Sequence, residues 1–211
     1  SKREGRVGLG YLLNNQGMVK GEATIANLPS GDRGPARVWY GSAAAAEFHD
    51  MDWLQSHVTC DEDVQIQSLT NDQTILVLAG PKARDVLSAC SRGDWSKQAF
   101  PWLSVRECFI GISPATVLGV SFSGEHAYEI HVPNASLYAV YLALRDAGED
   151  HGLKLFGARA VDSMRMEKGF LHWKADLLTE FDPFETSLGR FVNLQKGEFI
   201  GKAALEKRHA E

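Results

Sequence analysis

The sequence predicts an α+β fold, with mixed or antiparallel sheets and packed helices. Three observations point there. Adjacent segments carry apolar residues at a period of two, as half-buried strands do. Other segments carry them at helical spacing. The two kinds do not alternate as regular β-α-β units, which disfavours a parallel doubly wound sheet.

Val7 to Leu13 and Met18 to Leu28 read as two strands, joined by the hairpin turn Asn14-Asn15-Gln16-Gly17. In the second, Val19, Gly21, Ala23 and Ile25 share one face, and Met18, Lys20, Glu22 and Thr24 share the other. A Gly/Pro/Asp loop over 29–35 leads to a short strand at Ala36 to Tyr40. Ser42 is placed to cap a helix over 43–57, whose stripe is Ala44, Phe48, Met51, Leu54 and Val58. Val64 to Leu69 alternates as a strand. Thr74 to Ala79 is nearly all apolar, as a buried strand is. Gly80-Pro81 ends it, and Pro81 opens a helix carrying Ala83, Val86, Leu87 and Cys90.

Strands resume at Val105 to Ile112, Thr116 to Phe122 and Ala127 to Val132. Asn134 is placed to cap a helix with Leu137, Val140, Tyr141 and Leu144 on one stripe. A further helix spans Ala158 to Phe170. After Trp173 the chain is loop-like, with a short strand at Phe191 to Leu194 and a last helix from about Gly201. Residues 1–211 read as one module, with a soft internal boundary near 91–101. Ser1 to Gly8 runs straight into a strand pattern, as in a chain cut from a longer one.

With 44% hydrophobic and 23% charged residues, the 211-residue chain is globular in composition and long enough to bury a sizeable core. Its net charge of -5, without a basic run, disfavours a nucleic-acid partner or a polybasic membrane anchor. No apolar run approaches a membrane span. Three cysteines without a C-x-x-C signal neither a disulfide framework nor a metal site. Gly8-Leu9-Gly10 begins a G-x-G, but Leu13 stands where the third glycine belongs, so no dinucleotide fingerprint follows. There is no P-loop, H-E-x-x-H or G-x-S-x-G.

Six segments carry a family resemblance. They are Leu76 to Leu87, with its Gly80-Pro81-Lys82-Ala83-Arg84 helix start; Ala99-Phe100-Pro101; and Ser121 to Pro133, around Gly124-Glu125 and Glu129. The others are Asp162 to Gly169; Leu171 to Leu177; and Glu185 to Gly189 together with Lys196 to Lys202. In this order they resemble the folate-binding domain of the glycine-cleavage T-protein (aminomethyltransferase) family. Leu171 to Leu177 is most similar to its sarcosine and dimethylglycine dehydrogenase branch.

The resemblance implies an aminomethyltransferase-like fold, tetrahydrofolate as cofactor, and transfer of an aminomethyl or methyl group. A formaldehyde equivalent from an N-methyl amine such as sarcosine or dimethylglycine is the expected donor. Family sequence is expected before Ser1 and a C-terminal barrel-like domain after Glu211. An upstream flavin domain is the expected partner, so FAD is not expected on this chain. The compartment implied is the cytoplasm, or the mitochondrial matrix in a eukaryote.

Glu129 matches the family's pterin-binding glutamate. A carboxylate accepts both donors of the pterin edge, N3–H and the 2-amino group, as a charge-assisted pair. Glu22 stands where the family places an acidic residue on its second strand, and is the candidate acid–base group. Phe122, Tyr128 and Trp173 are candidates to stack on or wall the pterin. Phe122 replaces a family tyrosine and Ala127 a family glycine. These departures favour the alternative reading, a folate-binding or interaction module without catalysis. Glu198 after Lys196-Gly197, where an iron–sulfur repair branch has cysteine, excludes that branch.

Overall fold

The computed structural model describes residues 3–30 and 34–210, so residues 31–33 of the expected 29–35 loop lie outside the described residues. The chain divides into two compact units. One comprises Ser1–Gly8, Ala26–Trp39 and Gln67–Phe170, and the other Leu9–Ile25, Tyr40–Ile66 and Leu171–Glu211.

The element order is β1 (Arg6–Leu13), β2 (Val19–Leu28), β3 (Arg37–Ser42), α1 (Glu47–Gln55), β4 (Gln73–Ala79), α2 (Ala83–Cys90) and β5 (Val105–Ile110). Then come β6 (Ser113–Leu118), β7 (Ala127–Pro133), α3 (Leu137–Gly148), α4 (Ala158–Lys168) and α5 (Lys202–Ala210). Strands β1-β2-β3 form one sheet, and β4-β7-β6-β5 form another. The α+β expectation is met.

In the first unit, β4, β7, β6 and β5 pair antiparallel throughout. The register sorts the residues onto two faces, because directly opposed residues point the same way. Leu76 opposes Ile130, and Ile130 opposes Val117. Leu78 opposes Tyr128 in the same set. This face closes a core with Val86 and Leu87 of α2 and Val140 and Leu144 of α3. Each such side chain, fully buried, stabilises the fold by roughly 1.5–3 kcal/mol relative to exposure. On the opposite face Leu118 opposes Glu129, and Thr116 opposes His131. There Val105 and Leu118 pack with Val7, Ala26, Leu28 and Trp39.

In the second unit, the expected hairpin forms at Asn14. Its Oδ1 accepts the backbone N–H groups of Gln16 and Met18, both at 3.0 Å. Gly17 sits there at φ +78°, where a Cβ would lie 3.0 Å from Leu205 of α5. Only glycine meets both the conformation and the close approach without strain. Val19, Ala46, Trp173, Leu177 and Leu188 form this unit's core, with Tyr11, Leu13 and Leu171 against it.

Five local expectations are corrected. Val64 to Leu69 is not a strand; alternation marks a face only where a neighbouring strand offers a ladder. Phe191 to Leu194 is not a strand either, because a 3-10 turn over Gly189–Phe191 takes its start. Ser42 ends β3 and does not cap a helix. The helical segment opens with a 3-10 turn at Ala44–Ala46 that has no side-chain cap. Asn134 does not cap α3: its Oδ1 accepts from Thr74 Oγ1 at 2.5 Å, and its Nδ2 donates to the Asn71 carbonyl at 2.7 Å. Finally, Gln73–Ala79 is a strand as expected but an edge one, covered on its core face only: Leu78 is buried, while Ile75 and Val77, across from His131 and Glu129, are about half exposed. Residues 91–101 run inside the first unit.

Candidate functional site

Glu129 lies on β7, the strand flanked by β4 and β6, on the face away from the helices. Its side chain is 28% exposed, shielded without being sealed. Oε2 lies 3.3 Å from His131 Nε2, the ring two residues along the same strand face. His131 is buried. Its other nitrogen, Nδ1, accepts the indole N–H of Trp39 at 3.1 Å. Oε1 of Glu129 has no protein partner among the described residues. A carboxylate with one oxygen held and the other open suits a ligand that presents donors.

Tyr128, the next residue back, points the other way. It is fully buried against Trp95 and Phe100, with ring centroids 6.2 and 6.0 Å away. Its hydroxyl lies 3.0 Å from His126 Nε2. Burial raises its pKa above the ordinary tyrosine value. The expectation that Tyr128 walls a ligand beside Glu129 therefore does not survive: the strand pleat sends this ring into the helix-covered core. Phe122, on the loop before β7, is 37% exposed, and the Arg165 guanidinium carbon lies 6.0 Å from its ring. Arg165 is itself buried. Its Nε donates to Asp162 Oδ1 at 2.7 Å and its Nη1 to the Phe170 carbonyl at 3.0 Å, which fixes the end of α4.

Glu22 and Trp173 belong to the second unit. Glu22 lies on β2, and its Oε2 is buried with no hydrogen-bond partner among the described residues. Burial pushes its carboxyl up from 4.5 to about 7. Tyr11 feels the same neighbourhood. Its hydroxyl is raised first by burial and then by the charge of Glu22, while Arg190 acts in the opposite sense. A carboxyl whose pKa burial raises toward neutrality can both give and take a proton there.

Trp173 is 8% exposed, and its indole N–H is also buried without a partner among the described residues. It borders a cavity of about 320 Å³ lined by Asn14, Lys20, Ala46, His49, Lys174 and Thr179. Lys174 Nζ sits 4.7 Å from the Trp173 ring centroid, and Lys20 Nζ sits 4.5 Å from that of Trp53. Among the described residues there is no group of three or more His, Cys, Asp or Glu side chains that could hold a metal ion. Within the described residues, no helix is long and apolar enough to cross a membrane.

The structure thus keeps Glu129 and Phe122 in one unit and Glu22 and Trp173 in the other. Sequence reasoning missed Trp39 as a partner of the Glu129 strand, and it missed Tyr11 and Arg190 near Glu22. Period-two alternation along Ala127 to Val132 puts His131 on the Glu129 face. No comparable signal links Trp39 to β7, because pairing between distant segments leaves no local trace.

The two sheets thus carry two distinct carboxyl groups, Glu129 on β7, shielded and held by His131, and Glu22 on β2, with its pKa raised by burial. The chain belongs to the GCVT N-terminal domain family, which matches residues 1–196. It is 30% identical over 209 residues to mitochondrial dimethylglycine dehydrogenase of Homo sapiens, covering 98% of this chain and 24% of that protein. It is 32% identical over 209 residues to mitochondrial sarcosine dehydrogenase of Mus musculus, covering 94% of this chain and 23% of that protein. The chain therefore spans about a quarter of the length of these relatives. Its fold is similar to that of the glycine cleavage system aminomethyltransferase T from Bartonella henselae, with a TM-score of 0.82 and 22% identity, over 99% of this chain and 54% of that one.

Proposed function

We propose that the chain is the tetrahydrofolate-binding module of a one-carbon transfer enzyme that handles a formaldehyde equivalent from an N-methyl amine such as sarcosine or dimethylglycine. Aminomethyltransferases of its family use tetrahydrofolate. The observation that carries the reading is Glu129, a shielded carboxylate with one oxygen held by an imidazole and one without a partner among the described residues. Its role is to accept the two donors of the pterin edge. Phe122, with an exposed ring on the loop leading into β7, is the stacking candidate in the same unit. Trp173 is a wall candidate in the second unit, beside the 320 Å³ cavity.

Tetrahydrofolate supplies two nitrogens, N5 and N10, that take up carbon at the formaldehyde level. Glu22 supplies the proton inventory. With a pKa of about 7 it holds a proton half the time near neutrality, so it can protonate a departing amine and take a proton back afterwards. FAD chemistry is assigned to a separate, upstream domain, because this sequence has no dinucleotide fingerprint.

The test uses the full-length protein. Glu129→Gln should weaken folinic acid binding at least about thirtyfold, the lower end of the cost of breaking a buried charge-assisted pair. Glu22→Gln should leave that affinity nearly unchanged and slow folate-dependent formaldehyde transfer by about a hundredfold, within the range of acid–base contributions. Unchanged turnover in Glu22→Gln would remove the acid–base role from Glu22, and no folate-dependent transfer by the unaltered full-length protein would leave the non-catalytic folate-binding module as the surviving reading.

A further inference from the structure

Glu129 does not stand alone on its sheet face. Three residues from two distant strands form a chain of hydrogen bonds that ends on its carboxylate. Trp39, from β3, donates its indole N–H to His131 Nδ1 at 3.1 Å. The two rings meet edge to face, with centroids 5.7 Å apart and planes at 80°. His131 Nε2 lies 3.3 Å from Glu129 Oε2. His131 is buried, so water does not compete freely for either ring nitrogen.

The hydrogen-bonding inventory decides the direction of this chain. An indole N–H is a donor only. The nitrogen it meets must therefore offer a lone pair, which assigns Nδ1 as the acceptor. A neutral imidazole with an accepting Nδ1 carries its proton on Nε2. That proton points at Glu129 Oε2. The opposite tautomer would set donor against donor at Trp39 and two acceptors against each other at Glu129.

We propose that Trp39 and His131 are positioning residues for Glu129: the indole fixes the imidazole tautomer, and the Nε2–H fixes one oxygen of the carboxylate. The benefit is pre-organisation. A glutamate side chain loses rotamer freedom when a ligand orders it, and ordering it beforehand removes that cost from binding. The inference rests on the reading of Glu129 as a ligand-binding carboxylate, but its first prediction needs no ligand.

The experiment has two arms, both on the full-length protein. Long-range ¹H–¹⁵N spectra of the unliganded protein report which imidazole nitrogen bears the proton. For His131 they should show a protonated Nε2 and a bare Nδ1, and Trp39→Phe should convert this to a mixture of tautomers. A protonated Nδ1 in the unaltered protein overturns the proposal. The second arm measures folinic acid affinity. His131→Leu should weaken it about tenfold, as loss of a hydrogen bond to a charged acceptor does. His131→Gln restores an N–H donor and should recover most of the loss, which a merely space-filling role would not predict. If Glu129→Gln weakens binding while His131→Leu does not, the positioning role fails and the role of Glu129 stands. If Glu129→Gln has no effect, the ligand assignment fails, and the tautomer arm alone decides whether the hydrogen-bonded chain exists.

Discussion

A buried carboxyl oxygen with no partner is costly when ionised, and Glu22 Oε2 is one among the described residues. Its pKa rises from 4.5 to about 7 on folding, so between those values the folded chain binds more protons than the unfolded one. The protonated form's contribution to stability is complete below about 4.5 and is lost as pH rises through about 7. Glutamine has nearly the same shape and never ionises. Glu22→Gln should therefore gain on the unaltered protein as pH rises from 4.5 to 8, seen as a widening gap in thermal midpoint. A constant gap across that range would show that Glu22 does not titrate in the window its burial implies. The choice of Glu22 was legible in the sequence only through its family position. The burial of its carboxyl was not, because desolvation depends on segments distant in the chain, such as the one carrying Arg190, whose charge reaches the neighbouring Tyr11.

Strand β7 carries both the core and the candidate ligand carboxylate on its two faces, and its alternation was plain in the sequence. Ile130 at 0% exposure and Ile75 at 49% illustrate what alternation leaves out. Both lie in apolar strands, yet Ile130 points into the helix-covered core, while Ile75, across from His131, lies on the other face of an edge strand. Which face is covered follows from long-range packing, so Thr74 to Ala79 reads as buried in the sequence and is open on one face in the fold. Ile130→Ala should cost about 3–4 kcal/mol, transfer plus cavity, measured by denaturant unfolding. Ile75→Ala should cost less than about 1 kcal/mol. Equal costs would contradict this assignment of faces. The Asn14 turn shows the reverse case: its side-chain bonds to residues two and four along are local, and the sequence displays them fully.

At the scale of the whole molecule, the α+β class was readable from periodicity, and the family from six short segments in order. The division into two units was not, because each unit is assembled from three separated stretches of chain. A composition change near residues 91–101 carries no information about such interleaving. Each unit has its own buried cluster, one around Ile130 and one around Leu177. Leu177→Ala should lower hydrogen-exchange protection first around Val19 and Leu188 and leave β7 protected, as local opening of one cooperative region does. Uniform loss of protection would mean that the two clusters open together.

The central claim is that Glu129 grips the donor edge of a reduced pterin, and the most direct measurement compares two ligands by isothermal titration on the full-length protein. Folinic acid carries the pterin, and p-aminobenzoylglutamate lacks it. Glu129→Gln should weaken folinic acid at least about thirtyfold and leave the pterin-free fragment unchanged. Equal folinic acid affinity in the two proteins would contradict the assignment.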